Sequence, residues 1–142
     1  MTSMLVSVIV PVFNAEAYVA EAVESALAQP ETGEVILVED GSTDNSLEVC
    51  KALAERHSKV RLFRHDDERN HGAGASRNVG IRHSRFDYVA FLDADDFYLP
   101  GRFEFAVRLL ETYPEADGAY EATGTHFQDD SSRRRWFSNH DG

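Results

Sequence analysis

The sequence predicts an α/β fold built on a mainly parallel β-sheet with helices on both faces. Short apolar runs alternate with segments whose apolar residues recur at helical spacing, and this strand–helix alternation repeats four times along the chain. The apolar runs are nearly continuous, as expected of parallel strands covered on both faces. With 142 residues, of which 42% are hydrophobic and 27% charged, the chain has the size and composition of one soluble domain with its own core.

The first half of the chain contains two strand–helix units. Leu5–Val12 is almost wholly apolar and predicts the first strand, after which Asn14 is placed to cap a helix. Val35–Glu39 predicts a second buried strand. Ser42 or Thr43 is then expected to cap a second amphipathic helix.

Two further units follow in the second half. Val60–Arg64 predicts the third strand, Gly74–His83 the third helix and Tyr88–Asp93 the fourth strand. Pro100 is expected to open a fourth helix, since proline suits the first helical turn. Gly118–Thr125 has strand-like composition with weaker alternation.

The charge of the chain limits its partners. Fourteen Lys and Arg residues against 25 Asp and Glu give a net charge of −11, which argues against a nucleic-acid or anionic-membrane binder. Residues 64–103 are nearly neutral, with 7 acidic and 6 basic residues, so their arginines are available to meet an anion. The single cysteine, Cys50, excludes an internal disulfide and a multi-cysteine zinc site and suits a reducing cytosol.

Neither a signal peptide nor a membrane span is expected. The N-terminal region lacks a basic segment followed by an apolar core and a cleavage site. No apolar run approaches the roughly 20 residues that a spanning helix needs. We expect residues 1–125 to form the folded domain and residues 126–142 to be a polar C-terminal segment.

Polar residues follow three of the four predicted strands. These endings are Pro11–Asn14, Glu39–Ser42 and Asp93–Asp96. Ligands of parallel α/β sheets bind beyond the carboxyl ends of the strands, so we expect the three endings to surround a ligand site.

The Asp93–Asp96 segment has two interpretations. Asp93 and Asp95 lie on the same side of an extended segment, and crowded carboxylates favour a hard divalent cation such as Mg²⁺ or Mn²⁺. Alternatively, Asp95 or Asp96 only caps the helix that follows. The sequence by itself favours neither.

The other two endings are equally open to a binding role and a structural role. A tight turn explains Gly41 and Ser42 but requires no acids, and Asp40 is placed to accept a hydrogen bond from a nucleobase or a ribose. Phe13 is placed either to stack on a flat ring or to join the core.

The segment Asn70–Asn78 contains a G-x-G pattern but does not predict a nicotinamide site. Arg77 stands where the third glycine of a dinucleotide-binding loop belongs, and the segment follows the third strand rather than the first. Its small residues and the following helix N-terminus suit an anion.

Together these motifs resemble the GT-A-fold glycosyltransferases of family 2. That family shows, in order, a V-S-V-I-V-P-x-Y-N segment, a D-D-G-S-x-D turn, an N-x-G-x-x-x-A-R-N-x-G segment and L-D-x-D-D. This chain has the corresponding residues at Val6–Asn14, Glu39–Asp44, Asn70–Gly80 and Leu92–Asp96. The resemblance covers about residues 5–112, and its strength lies in the order of four motifs that are each weak.

The resemblance implies a role for each nucleotide-binding residue. Pro11, Phe13 and Asn14 would form the first wall of the nucleotide pocket. Asp40 would face the base, which is usually uracil in this family, and Arg77 would help to hold the nucleotide.

It also implies the remaining contacts of the donor. Asp93 would contact the ribose, and Asp95 would ligate the Mn²⁺ or Mg²⁺ that bridges the diphosphate. The departures from the family pattern are mild: phenylalanine replaces tyrosine at Phe13, glutamate replaces the first aspartate at Glu39, and Ser76 replaces alanine.

The implied function is metal-dependent, inverting transfer of a sugar from a nucleotide-diphosphate sugar, expected to be a UDP-sugar, to a carbohydrate or lipid-linked acceptor. Polysaccharide or cell-envelope biosynthesis, a cytoplasmic location at the inner face of the membrane and peripheral membrane association of the full-length protein fit this activity. The catalytic base is expected beyond residue 142. Residues 1–125 would then be the nucleotide-sugar-binding domain, with 126–142 leading toward a missing acceptor half.

Two alternatives remain open at this point. One is a module that binds a nucleotide sugar without catalysis, which shares every motif above. The other is a nucleotidyltransferase, which would normally carry a glycine-rich, basic loop after the first strand, and Pro11–Asn14 supplies no such loop.

Overall fold

A computed structural model describes residues 4–126 and 129–134 of the chain. Strands and helices alternate in the predicted order. The strands are β1 (Val6–Val12), β2 (Thr32–Glu39), β3 (Val60–Arg64) and β4 (Tyr88–Phe91). The helices are α1 (Val19–Leu27), α2 (Ser46–Arg56), α3 (Ala73–His83) and α4 (Glu104–Thr112).

The four strands form one parallel sheet in the order β3-β2-β1-β4. Strand β1 is central and pairs with β2 over its whole length, from Val6 opposite Thr32 to Val12 opposite Glu39. Because the chain order reverses at β1, the crevice beyond its carboxyl end is the expected ligand position. The predicted α/β class with a mainly parallel sheet is confirmed.

Helices cover both faces of the sheet. On one face, buried residues of α1 and α2 pack against alternate residues of β1 and β2 in the larger core cluster. On the other face, Val79 of α3 packs against Ile9, Ile36 and Val38. Two covered faces explain why β1 and β2 are apolar almost without interruption.

Proline in the central strand is tolerated because of where the strand pairing ends. Ile9 accepts a hydrogen bond from Leu92 on the β4 side, whereas Val12 accepts one from Asp40 on the β2 side. Backbone groups alternate in direction along a strand, so the position of Pro11 faces β4. The β1–β4 pairing ends at Ile9 and Phe91, and no ladder bond is lost at Pro11.

Two of the predicted helix starts are wrong. Helix α1 begins after Tyr18 and α2 after Asn45, and neither helix has a side-chain cap. The side chains of Asn14 and Ser42 instead join one loop to the other, as described below. Pro100 does not open α4. A turn that contains Gly101, with a φ of +76°, separates it from the first helical residue, Glu104.

The strand-like segment 118–125 does not form a strand. Tyr120 is 95% exposed, and within residues 4–126 and 129–134 the segment has no neighbouring strand to supply the backbone hydrogen bonds that a β-ladder needs. It is held locally, by an ion pair of 2.6 Å between Arg102 and Glu121.

Within residues 4–126 and 129–134, no helix has the length and apolarity required to cross a membrane. The described part of the predicted polar segment, 129–134, is exposed and includes a helical turn over 130–134. The remainder of that segment, 127–128 and 135–142, lies outside the described residues.

The contact between α3 and β1 gives a stability prediction. A Cβ atom at Gly80 would overlap Cγ2 of Ile9, which is fully buried. Gly80→Ala is therefore expected to lower the free energy of unfolding by about 1–3 kcal/mol, the usual cost of overpacking, despite a gain in helix propensity. Urea unfolding followed by circular dichroism measures this change.

Gly74→Ala is the matched control in the same helix. Apart from its chain neighbours and the backbone of its own helix, no heavy atom of the described residues lies within 4 Å of the position that its Cβ would take. We expect this substitution to raise the free energy of unfolding by up to about 1 kcal/mol. Equal effects of the two substitutions would contradict the close α3–β1 contact.

Candidate functional site

An open cleft of about 280 Å³ lies at the carboxyl edge of the sheet, where β1, β2 and β4 end. It is bounded by the loops after these strands and by the start of α3. All the residues that the sequence predicts for the site line it: Pro11, Phe13, Asn14, Asp40, Arg77, Asp93 and Asp95.

Asn14 fixes the wall of the cleft rather than the start of a helix. Its backbone adopts a positive φ of 48°, and its side-chain Oδ1 accepts a hydrogen bond of 2.8 Å from the backbone N–H of Thr43. In return, the N–H of Asn14 donates to Oγ of Ser42 at 3.0 Å. These reciprocal bonds tie the β1–α1 loop to the β2–α2 loop.

Glu39 supports the neighbouring turn from beneath. Its side chain is 1% exposed and accepts hydrogen bonds from the N–H of Ser42 at 2.6 Å and from Nε of Arg64 at 2.9 Å. Burial would raise the pKa of Glu39, but the hydrogen bonds from Ser42 and Arg64 hold it below its ordinary value. Glu39 is thus a charged structural residue beside the cleft, and its longer arm reaches β3.

Asp40 joins the β2–α2 turn to the loop before α3. Only 2% exposed, its carboxylate accepts from the N–H of His71 at 2.7 Å, from the N–H of Gly72 at 2.9 Å and from Nδ2 of Asn70 at 3.1 Å. Nε2 of His65 lies 3.2 Å from the same carboxylate. These contacts hold residues 70–72 against the end of β2 and so determine where α3 begins.

Gly41 is required by the same contact. Its φ is +71°, which glycine adopts without strain. A Cβ atom there would also lie 2.7 Å from the backbone nitrogen of Asn70. The β2–α2 turn and the loop before α3 approach this closely only because residue 41 has no side chain.

Arg77 and Asp93 face each other across the cleft. Nη2 of Arg77 donates to Oδ1 of Asp93 at 2.8 Å, and the guanidinium carbon lies 5.9 Å from the ring centroid of Phe91. The ion pair brings the basic residue of α3 to the acidic ending of β4. Arg77 therefore supplies positive charge within a cleft that is otherwise acidic.

Asp93, Asp95 and Asp96 lie in one turn, in which the N–H of Asp96 donates to the carbonyl of Asp93 at 3.0 Å. The following helix begins only at Glu104, so the interpretation of Asp95 or Asp96 as a helix cap is wrong. Burial and the charges of Asp95 and Asp93 raise the pKa of Asp96. Of the three carboxylates in this turn, Asp93 alone is paired with a basic side chain among the described residues.

The carboxylates fit a divalent cation only as a partial set of ligands. No three His, Cys, Asp or Glu side chains within the described ranges form a ready-made metal site. Asp93 and Asp95 both line the cleft, and their oxygens are the ligands that hard divalent ions prefer. Such ions commonly complete their coordination with water and substrate phosphates, and the open cleft leaves room for both.

Five residues that line the cleft were not predicted as site residues from the sequence: Val12, Ala15, Tyr18, Ala73 and Ala94. Ala73, at the start of α3, gives a ligand close access to the backbone there. Tyr18 is an aromatic residue that lines the cleft and is 40% exposed, and Phe13, which lines it too, is 48% exposed. An aromatic residue just before the apolar stripe of α1 was the available signal for Tyr18.

The fold and the cleft define an α/β domain whose open cleft lies at the carboxyl edge of a parallel sheet, where ligands of such sheets bind. The chain belongs to glycosyl transferase family 2, whose family model matches residues 7–141. The resemblance identified from the four sequence motifs is therefore confirmed.

Relatives that share this sequence pattern are longer proteins. An uncharacterized glycosyltransferase of Haemophilus influenzae is 39% identical over 105 residues, which cover 73% of this chain and 41% of the relative. The succinoglycan biosynthesis protein ExoU of Rhizobium meliloti is 42% identical over 97 residues, which cover 68% of this chain and 28% of ExoU. The chain therefore spans less than half the length of these relatives.

Solved structures show the same architecture. S. aureus TarS in complex with UDP-GlcNAc superposes with a TM-score of 0.67 at 28% identity, covering 78% of this chain and 32% of TarS. The mannosyltransferase PcManGT of Pyrobaculum calidifontis, in complex with GDP-Man and Mn²⁺, gives a TM-score of 0.64 at 28% identity, covering 74% of this chain and 32% of PcManGT. Such neighbours have the GT-A fold, which confirms the predicted architecture.

The environment of Glu39 predicts a pH-dependent contribution to stability. Its folded-state pKa lies below the ordinary value of 4.5, so its contribution is present above that value and is lost as the pH falls through the folded-state pKa. The difference in unfolding free energy between native protein and Glu39→Gln should therefore shrink from about pH 7 to about pH 3. Urea titrations across this range measure it. Glu48→Gln, at an exposed position, is the control, and a pH-independent gap for Glu39→Gln would contradict the assignment.

The contacts of Asp40 predict that its carboxylate protects the loop before α3. In Asp40→Asn, an amide would face backbone N–H groups, so the hydrogen bonds to His71 and Gly72 would be weakened at a cost of about 1–3 kcal/mol. Amide hydrogen exchange at His71 and Gly72 should become at least about tenfold faster. Asp66→Asn, an exposed change near the same loop, should leave both rates unaltered. Unchanged exchange in Asp40→Asn would show that the carboxylate does not hold the loop.

Proposed function

We propose that this chain is the donor-binding part of a glycosyltransferase that transfers sugar from a nucleotide-diphosphate sugar, most simply a UDP-sugar, to a carbohydrate or lipid-linked acceptor. The observation that carries the proposal is the convergence of aromatic, basic and acidic residues of four separate motifs on one cleft of a family 2 chain. The UDP-GlcNAc complex of TarS and the GDP-Man complex of PcManGT support a donor of this class.

The nucleoside would occupy the part of the cleft beside β1 and β2. Phe13 offers an exposed ring for stacking on a base, and Asp40 supplies a carboxylate edge for a base N–H. The hydrogen bonds of Asp40 to residues 70–72 keep that edge fixed before the ligand arrives. Pro11 and Asn14 complete this wall.

The ribose and diphosphate would then lie toward β4. Asp93 would contact the ribose, and Arg77 would turn part of its guanidinium toward the phosphates. Asp95 would hold a divalent cation, Mn²⁺ or Mg²⁺, which supplies positive charge to the diphosphate leaving group. The chain's net charge of −11 makes such a counter-charge necessary for binding an anionic donor.

Inverting transfer requires a base that deprotonates the acceptor hydroxyl for in-line attack on the anomeric carbon. We place that base outside the 142 residues. Asp129 and Asp130 are exposed, and hydrogen bonds from Ser131 and Ser132 lower the pKa of Asp129 to about 2, which makes it a poor proton acceptor. The proposal therefore assigns residues 1–125 to donor binding and leaves the acceptor site to further sequence.

The metal assignment is tested by calorimetry with UDP in the presence of Mn²⁺ and in the presence of EDTA. We expect Mn²⁺ to strengthen UDP binding at least about tenfold, or about 1.4 kcal/mol, and Asp95→Asn to remove that gain. Asp96→Asn is the matched control, because Asp96 is adjacent but is not one of the residues lining the cleft. Equal affinity with and without Mn²⁺ would refute the metal role of Asp95, and no binding of UDP-, GDP- or TDP-sugars would refute the proposed function.

A further inference from the structure

Tyr18 lines the cleft but lies outside the four sequence motifs, which therefore imply no role for it. Its side chain is 40% exposed and lines the same cleft as Asp95. Among the described residues its hydroxyl has no hydrogen-bond partner and its ring no aromatic neighbour. A tyrosine in such a position presents an apolar face and a polar tip to whatever fills the cleft.

The position of Tyr18 at the start of α1 indicates which part of the cleft its side chain lines. Tyr18 immediately precedes α1 and Ser25 lies seven residues further along, so the two lie near the same side of the helix, because residues seven apart return to nearly the same angle. Gln29 follows the last helical residue by two positions. Both Ser25 and Gln29 contact the segment after β4. Oγ of Ser25 accepts from the N–H of Tyr98 at 2.9 Å, and Gln29 bonds the carbonyl of Leu99 at 3.1 Å.

The segment after β4 therefore runs in the same direction as α1. Gln29 contacts Leu99, and Ser25, four residues earlier, contacts the preceding residue, Tyr98. Tyr18 lies about two helical turns, or about 10 Å, before Ser25 along the helix axis. Asp95 precedes Tyr98 by three residues, toward the same end of the segment. The shared direction thus places Tyr18 on the Asp95 side of the cleft.

Resting on the proposed function, we propose that Tyr18 is a specificity residue that contacts the sugar of the donor. A nucleotide-diphosphate sugar has a fixed chemical order of base, ribose, diphosphate and sugar. With the base at Phe13 and Asp40 and the diphosphate at Asp95, the sugar follows on the side where Tyr18 lies. The phenol ring can pack on the C–H face of a sugar, and its free hydroxyl can bond a sugar hydroxyl.

The test compares each nucleoside diphosphate with its sugar conjugate by calorimetry in the presence of Mn²⁺. The probes are UDP with UDP-GlcNAc and GDP with GDP-mannose. For the pair that the native protein binds, Tyr18→Ala is expected to weaken binding of the sugar conjugate about tenfold and to leave the diphosphate within about twofold. Tyr18→Phe retains the ring and should lose less than Tyr18→Ala.

Two control variants separate this result from other effects. Phe13→Ala should weaken the diphosphate and its conjugate equally, because a base contact is common to both. Tyr113→Ala, at an exposed tyrosine at the end of α4, should alter neither. Thermal melts establish that each variant is folded, and Tyr18→Phe gives the answer if Tyr18→Ala does not fold.

The remaining outcomes each overturn a distinct claim. Equal weakening of diphosphate and conjugate by the Tyr18 substitutions would make Tyr18 a nucleotide contact, and no weakening of either would remove it from the binding site. Both results refute the sugar contact while leaving the proposed function intact. Failure of the native protein to bind any of the four probes would refute the proposed function and the role of Tyr18 together.

Discussion

The buried carboxylate of Asp40 is the interaction on which the geometry of the cleft depends. It lies at the end of β2 and accepts hydrogen bonds from Asn70, His71 and Gly72, which belong to a loop 30 residues further along the chain. A buried carboxylate without such donors would be strongly destabilising, so the loop and the carboxylate each require the other. The lack of a side chain at Gly41 permits the approach. Helix α3, and Arg77 with it, takes its position from this junction.

A second set of bonds fixes the other wall of the cleft. The loops after β1 and β2 exchange hydrogen bonds through Asn14, Ser42 and Thr43, and Ser46 of α2 accepts from the N–H of Ala15 at 2.8 Å. Short polar side chains satisfy backbone N–H groups at a sheet edge where no ladder remains to do so. The polar residues at the strand ends thus stabilise the loops of the free protein, and they are held in place before a ligand binds.

The cleft contains more acidic than basic side chains. Arg77 is paired with Asp93, but Asp95 has no comparable cationic neighbour among the contacts of the described residues. Burial, together with the charges of Asp95 and Asp93, raises the pKa of Asp96. This arrangement attracts a cation and, once a cation is held, an anionic ligand. Because the chain has a net charge of −11, it would repel an anionic ligand unless a cation were bound first.

The sequence by itself determined the α/β class, the order of the strands and helices and the seven cleft residues. Apolar runs such as Val6–Val12 and strand-end carboxylates are local signals, and parallel strands place their carboxyl ends at one edge. Tertiary structure alone decided what those side chains do in the free protein. Asn14 and Ser42 bond each other's loops instead of capping helices, and 118–125 finds no strand to pair with. Tyr18 enters the cleft through the packing of α1 against the segment after β4. Such partners are distant in sequence, and neither propensity nor spacing encodes which distant group a polar side chain meets.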